Sequence, residues 1–582
     1  MKSKDNKLKR FLKKYWFIII LATLAIFSVV FTTCGLWEEC KHKSTSVFES
    51  IKLLFLHHEF GKDESIPCTL EIGRWLALVF FLWLSGGAII KFAIPTWLDK
   101  KIIEYRFKKH IVIFGEEEIY VKLIDKIRKD NDNTQIVLIV DTETKAKDLK
   151  KYTNSKLKVI EGNPLEKNEK KPEENILKIA NIVKTSKFFV VTDDDNKNVE
   201  IARNIWEYLK EHPKTKKKID KKKELLESGK KIDVKTLNEE DENVLRCYTL
   251  VKDNNYKNIL EETPIFKYKR KDNEVFYFEG VVFNLNSVGI QYGINVEIEN
   301  ILPKQSVPCV LIVGFNEAAM SIMLNLSHIL TKNRKKITFH IIETDENVEN
   351  QFNEKYAYLK DFAEFNFNIT EEEILKSNYV SIFVCNENNN KAVNDSVSIR
   401  YKLQKNDPAI FIVTSNSDYL NSVFNPENTE NINDILTFEN HNIEIFNRLE
   451  YFWELIIEKR DKIENRAKEI HKEYTSANPI DRYEYLTETY KQSNRNAALD
   501  YEIKSYLVDN EITEDNIEYL AEIEHRRWML EKYADGWSKG ETRNNTYKIN
   551  PLLKHWDELK DSEKANDRNS IKLMQRIISE TK

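Results

Sequence analysis

The stretch "KHIVIFGEEEIYVKLIDKIRK" (residues 109–129) decides the fold. His110–Phe114 is a short apolar, β-branched run closed by Gly115, and an amphipathic helical pattern follows at once. The same grammar recurs in "VPCVLIVGFNEAAMSIMLNLS" (307–327), with Gly314 closing the strand. Working outward, "QIVLIVD" ends in Asp141 as "KITFHIIETD" ends at Glu343 and Asp345. "KFFVVTDDDNKNVEIARNI" is answered by "NYVSIFVCNENNNKAVNDSVSIRYKL", and "VLRCYTLVKDNNYKNIL" by "PAIFIVTSNSDYL". Alternating helices and uninterrupted apolar strands predict parallel sheets covered on both faces. The recurrence predicts two such domains in tandem, 105–298 and 299–460. A mixed-charge run at 211–243 reads as a solvated insertion within the first.

These halves resemble the regulator-of-potassium-conductance (RCK, TrkA-N-like) family of Rossmann-like domains. The resemblance rests on the strand-turn-helix start, "EGNP" (161–164) and "TDDDNKN" (192–198). It implies domains that gate pores by binding nucleotides or ions. The glycine frame of a dinucleotide site is damaged in both halves. It becomes Gly115, Glu117, Tyr120 in the first and Gly314, Asn316, Ala319 in the second. A glycine at the second position lets pyrophosphate approach the backbone, and Glu117 places negative charge there instead. The second half, with Glu343 where a ribose-binding acid belongs, is the better candidate of the two.

Two apolar segments precede these domains, at about 16–37 and 75–98. No charged residue occurs from Phe17 through Trp37, and about 20 residues span a bilayer. Basic flanks, "KSKDNKLKRFLKKY" and "DKKIIEYRFKKH", predict both termini in the cytoplasm of a multi-pass protein of the bacterial inner membrane. Between the spans, Ser44–Phe60 has helical apolar spacing but is too short to cross. That layout resembles a two-span potassium channel with a pore helix. The TVGYG filter is absent, and "HHEFGKDE" stands in its place. Glu59 is a candidate for an acidic pore ring or a solvated loop residue, and Cys40 and Cys68 pair only if that side is oxidising. The region is a conducting pore, an anchor or a non-selective membrane lesion. Cys247, Cys309 and Cys385 lie beside apolar runs and read as buried free thiols.

Lys+Arg at 90 nearly balance Asp+Glu at 94, so the net charge of -4 gives no drive toward a nucleic-acid polymer. No CxxC pair, nucleophile set or acid–base pair stands out, so no catalytic residues, no metal site and no enzyme activity are expected.

At 461–582 a helix leads into "LAEIEHRRW" (520–528), "GWSKG" (536–540), "NPLLKHWDEL" (550–559) and "EKANDR" (563–568). Thr513 or Asp515 can cap a helix in which Ile517, Leu520, Ala521, His525 and Trp528 share one face. These pieces, with "IHKEY" and "SNRNAA" upstream, resemble the bacterial form of the ryanodine-receptor (RyR) repeat domain. Asn550 departs from the histidine usual before the proline. The resemblance implies a small all-α ligand-binding module that senses nucleotide-derived signals, with phage defence as a setting. Trp528, Trp537 and Trp556 suit base stacking, Arg495, Arg527 and Arg543 suit phosphate, and Asn494 and His525 suit polar edges. The expected protein is a membrane α-helical unit plus tandem α/β Rossmann-like domains plus the all-α module. It acts as a ligand-gated, channel-like sensor-effector, a homo-oligomer (dimer or tetramer) in lipid, with a small nucleotide as ligand and no certain cofactor. The alternative is a cation channel or transport regulator gated at the Rossmann-like domains.

Overall fold

The computed structural model describes Pro95–Thr581, apart from segments within 143–153, 167–174, 214–243, 262–276, 304–307, 404–406, 416–441 and 476–487 and a few single residues. The span at 16–37, all but the last four residues of that at 75–98, Glu59, Cys40, Cys68 and most of the charged insertion lie outside the described residues. Among the described residues no helix is long and apolar enough to cross a membrane. A helix over Pro95–Arg106 bounds the first of two compact units, and everything below concerns the second, from Arg106 onward.

Two six-stranded sheets follow. The first holds β1 (His110–Gly115), β2 (Ile136–Val140), β3 (Leu157–Glu161), β4 (Thr185–Val191), β5 (Leu245–Leu250) and β6 (Phe278–Phe283). The second holds β7 (Cys309–Val313), β8 (Thr338–Ile342), β9 (Glu364–Phe367), β10 (Ser381–Val384), β11 (Ala409–Thr414) and β12 (Ile443–Asn447). Their orders are β3-β2-β1-β4-β5-β6 and β12-β11-β10-β7-β8-β9. Renumbered within each half, both read 3-2-1-4-5-6, and every pairing is parallel. This is the doubly wound Rossmann order, present twice. Runs such as Ile136–Val140 are buried at every position because helices cover both faces.

Helices α1 (Glu117–Asp130), α2 (Asp195–Glu211), α3 (Leu285–Val296), α4 (Glu317–Ser327) and α5 (Asn389–Lys402) serve the sheets. The "TDDDNKN" motif is structural here. Asp194 caps α2 by accepting from the Lys197 amide at 3.1 Å. Buried Asn198 accepts from the Thr192 amide and hydroxyl and donates to the carbonyls of Thr192 and Leu250, pinning the ends of β4 and β5 together.

The two halves exchange the helices that follow their last strands. Helix α3, after β6, buries Ile290 and Ile294 in the core of the second sheet, beside Val310, Ile312 and Phe339. Helix α6 (Arg448–Trp453), after β12, buries Leu449, Phe452 and Trp453 in the core of the first. Phe452 stacks on Phe283 with ring centroids 4.5 Å apart, and Trp453 meets Phe189 edge-on at 5.6 Å. The helices cross where Gly289 faces the Arg448 carbonyl. A β-carbon there would sit 2.1 Å from that oxygen.

Past α6 one π-helical turn, Glu454–Lys459, leads into α7 (Arg460–Tyr474). The chain then builds α8 (Glu488–Leu499), α9 (Tyr501–Leu507), α10 (Glu514–Ala534) and α11 (Asp561–Thr581). This part is not purely helical. Ser538–Lys539 (β13) and Ile549–Asn550 (β14) pair as a two-stranded parallel sheet in the loop between α10 and α11.

Candidate functional site

Helix α10 starts at a capping box, in which Thr513 and Asn516 satisfy each other's backbone amides. Its centre is unusual, because Glu524, His525, Arg526 and Arg527 are four consecutive polar residues and all are buried. Buried charges need partners, and each has them. Arg527 grips both oxygens of Glu524 at 3.0 and 2.8 Å and reaches Glu531 at 2.8 Å. Glu524 also accepts from Lys504 at 2.7 Å, and Lys504 binds Asp500. Asp500 closes the chain on the His328 ring at 2.9 Å. Burial pushes the Asp500 carboxyl up, but Lys504 and His328 outweigh it and hold it well below the usual carboxylate range. Glu524 answers to the same contest, with Arg527 and Lys504 bringing it to about 2.

Arg526 points the other way. Its guanidinium donates to the carbonyls of His328 at 2.9 Å, Ser327 at 2.9 Å and Phe362 at 2.6 Å, and its face lies on the Phe362 ring. One arginine thus satisfies the C-terminal end of α4, where helix carbonyls lack intrahelical donors. The C-terminal helices are bolted to the second Rossmann-like half through a buried ionic seam.

The eight residues expected to form a nucleotide pocket are not gathered into one. Arg527 is neutralised by Glu524 and Glu531, and Arg495 by Glu464 at 2.7 Å. Arg543 is exposed on the β13–β14 loop and bonds Asn545. Trp556 is buried in the core of the C-terminal helices, donates to Glu518 at 3.2 Å and carries Lys564 over its ring. Trp528 and Trp537 are half-buried against a different core, that of the second sheet. His525 lies between Asp567 at 3.2 Å and the Lys554 carbonyl at 3.0 Å, and Asn494 bonds back to Tyr490 within its helix. His525 does bring Trp528 and Trp556 together, at centroid distances of 5.6 and 5.8 Å. That trio is a packing cluster, because the imidazole nitrogens are already satisfied.

The glycine turns are likewise occupied from within. Gly314 adopts φ +88 and passes so close to Cys385 that a β-carbon would meet its carbonyl at 2.9 Å, so the glycine is required. Asn316 takes the amides of Ala318 and Ala319 at 3.0 and 3.1 Å and donates to Cys385 at 2.7 Å. Glu343 accepts from the Phe315 amide at 2.7 Å. The N–H groups that would hold pyrophosphate at the start of α4 are thus spent on this chain's own side chains. In the first half Gly115 packs on Val191, where a β-carbon would fall 2.3 Å from the carbonyl, and Glu116 and Glu117 open α1. Cys247 and Cys385 are buried thiols pushed up to about 12 by burial, while Cys309 is only half-buried.

A cavity of about 510 Å3 lies where three parts meet. The first half contributes Asp253, Lys257, Ser287 and Gln291; the second contributes Asn316, Glu317, Ser321 and Tyr356; the C-terminal helices contribute Asn496, Asp500, Arg527 and Asp535. Ligand pockets commonly occupy ~300–1,000 Å3 and favour domain junctions. Its polar wall mixes seven carboxamides with five carboxylates and three Lys or Arg side chains, and Phe315, Tyr356 and Tyr358 supply aromatic faces. Two of its acids are under-compensated, while Asp500 and Glu531 are held low by their cations. Burial, then Glu531, raises the Asp535 carboxyl to about 6, and burial raises Glu317. Of the residues singled out from the sequence, only Asn316 and Arg527 line this space.

Residues 502–580 match the RyR domain family. The RyR segment thus covers α9's last six residues, α10, the β13–β14 loop and nearly all of α11. No curated protein matches the chain. Among solved structures the chain is similar to the GsuK channel, at TM-score 0.38 and 13% identity over 78% of this chain and 99% of that one. It is also similar to GsuK bound to ADP, at TM-score 0.36 and 12% identity over 78% and 99%. The GsuK channel bound to NAD gives TM-score 0.37 and 10% identity over 79% and 86%. Likeness at this level does not carry function across.

Asp500, Lys504, His328 and Arg526 were not singled out from sequence. A signal did exist for part of the seam: Glu524, Arg527 and Glu531 recur at i, i+3 and i+7, which is an ionic stripe along one helix face.

Proposed function

We propose that this chain is a membrane-anchored, ligand-responsive sensor-effector whose small nucleotide-type ligand binds in the junction cavity rather than inside the RyR segment alone. The observation that carries the reading is the cavity itself, walled by both Rossmann-like halves and by α8–α10 at once. A ligand there touches three parts together, so any change in their packing changes its affinity, and by linkage the ligand biases that packing. Carboxamides suit the donor and acceptor edges of a nucleobase, and the tyrosines suit its face. The RyR match supports a sensing role for α10. The two apolar segments at 16–37 and 75–98 supply the expected output, a pore or a disturbed bilayer, and the physiological setting proposed is antiphage defence. The protein is proposed to act without catalysis. A regulator gated at the second glycine turn is less favoured, because Asn316 and Glu343 take the backbone donors such a site needs.

The test is a thermal-shift screen of the full chain in detergent against adenine mononucleotides, cyclic oligonucleotides and ADP-ribose derivatives, followed by ion flux from loaded liposomes. A stabilising compound whose effect is lost in Gln291→Ala and Tyr356→Ala, and which triggers flux, is the expected result. Stabilisation unaffected by both substitutions removes the junction cavity from the reading.

A further inference from the structure

A second, smaller chamber adjoins the junction cavity. It encloses about 130 Å3 between the first Rossmann-like half and helices α6–α8. Lys257, Ser287, Gln291 and Asn496 line both spaces, so the two are neighbours with a shared wall. The rest of the small chamber is largely apolar, with Val281, Phe283, Phe452, Ile456 and Ile463 around it.

Two polar side chains border this apolar space without a partner. Arg460, the first residue of α7, is 9% exposed. Its Nε has no hydrogen-bond partner, and among the described residues its guanidinium makes no ion pair; it lies over the Tyr248 ring at 5.2 Å. Tyr248 is fully buried on β5, and its hydroxyl also has no partner. The contrast with nearby cations is sharp. Arg246 and Lys491 share Glu279 at 2.7 and 3.0 Å, and Arg495 holds Glu464 at 2.7 Å. Both carboxylates are hydrogen-bonded to these other cations, and Glu261, which also lines the chamber, pairs with Lys257 at 3.2 Å; Arg460 feels Glu279 and Glu464 only beyond ion-pair distance. Neighbouring Lys187 registers the excess, because burial and then Arg460 and Arg246 lower its ammonium to about 8. A buried cation with no ion pair of its own is costly, and an anion held in the chamber would supply one.

We propose that this chamber binds a small organic anion, one carboxylate or phosphate monoester on a compact apolar body, with the Arg460 guanidinium as counter-ion and the Tyr248 hydroxyl as second donor. The size fits, since a dry cavity of about 150 Å3 admits benzene. The apolar wall selects for a body that inorganic anions lack. Arginine offers a planar fork matched to either anion. Because the shared wall includes Gln291 and Asn496, occupancy here acts on the junction cavity as a second input. The proposal stands apart from the nucleotide reading, and either can fail alone.

The experiment uses the full chain in detergent, with sodium benzoate, sodium phosphate and sodium chloride compared at equal millimolar concentration. Benzoate is expected to raise the melting temperature beyond both salts. Arg460→Met is expected to melt no lower than wild type without benzoate, since it removes an uncompensated charge, and to lose the benzoate shift. Tyr248→Phe, which keeps the ring, is expected to weaken benzoate by roughly tenfold as one donor is lost. The proposal is overturned if benzoate does no more than chloride, if phosphate matches it, or if Arg460→Met keeps the full shift. Should Arg460→Met not fold, an unchanged benzoate Kd in Tyr248→Phe overturns it equally.

Discussion

The His328 ring nitrogen and the Asp500 carboxylate lie 2.9 Å apart, both buried, across the joint between the second Rossmann-like half and the C-terminal helices. They begin a continuous line of bonded polar side chains, His328–Asp500–Lys504–Glu524–Arg527–Glu531, of which His328, Asp500, Arg527 and Glu531 line the junction cavity. Each of the four interior members depends on two neighbours, so the seam is stable only when complete.

Lys504 is the middle of that line and is fully buried. Lys504→Met leaves Asp500 and Glu524 facing each other without their shared cation. Loss of about 3–5 kcal/mol is expected, the range for breaking a buried pair from one side. Chemical denaturation of the full chain reads it, and a loss below about 1 kcal/mol, the range of exposed pairs, would show the seam to be wet.

Asp535 and the seam carboxylates respond to pH with opposite signs. The folded Asp535 carboxyl, near 6, lies above its unfolded value of about 3.9, so the folded state binds the extra proton between those values. Its contribution to stability therefore falls as pH rises through that window. Asp500 and Glu524 are depressed, Glu524 to about 2, so their contribution is present above about 4.3 and is lost as pH falls toward the folded value. The melting temperature should rise as pH falls from 7 toward 5 and then drop steeply in stronger acid. Asp535→Asn should flatten the first limb and leave the second. A first limb unchanged in that variant rejects the assignment.

Gly289 reports on the helix exchange. A β-carbon would fall 2.1 Å from the Arg448 carbonyl, which is backbone and cannot rotate away. Gly289→Ala is expected to cost at least the ~1–3 kcal/mol usual for overpacking, and to loosen both halves because α3 and α6 each complete the other half's core. Amide hydrogen exchange should show protection falling in β6 and β12 together. A change confined to one sheet would mean the exchange is not what couples them.

Asn316 caps α4 with its own side chain. Removing it in Asn316→Ala leaves the Ala318 and Ala319 amides and the Cys385 carbonyl without their present partners. About 1 kcal/mol of stability should be lost, the usual value of an N-cap. A neutral result in denaturation would mean water serves the turn as well as the asparagine does.

Much of the architecture was readable along the chain. Continuous apolar strands, a closing glycine and an amphipathic helix are local patterns, and their recurrence is visible without folding anything. So Ile111–Gly115 and Val310–Gly314 could be matched, and the parallel α/β class with them. The turn chemistry was half-legible: Glu117 and Asn316 signalled damaged phosphate sites, but not that Glu343 would reach back to the Phe315 amide. The expected pocket residues are instead scattered. Tryptophan and arginine at helical spacing suggest a binding face equally whether the arginine meets a phosphate or a glutamate. Arg527 and Arg495 meet glutamates, Glu464 in the second case from 31 residues away.

The sequence by itself determined the local periodicities, the duplication and the RyR-like segment, because each is written in residues close together in the chain. Only the tertiary structure decided which charges are spent and which are left over. Arg526 and Arg460 are both buried helical arginines, yet one satisfies three carbonyls of another domain and the other borders an apolar chamber without an ion pair of its own. The reason is physical: a charge takes its meaning from what burial brings within about 4 Å of it, and those neighbours come from residues far apart in sequence.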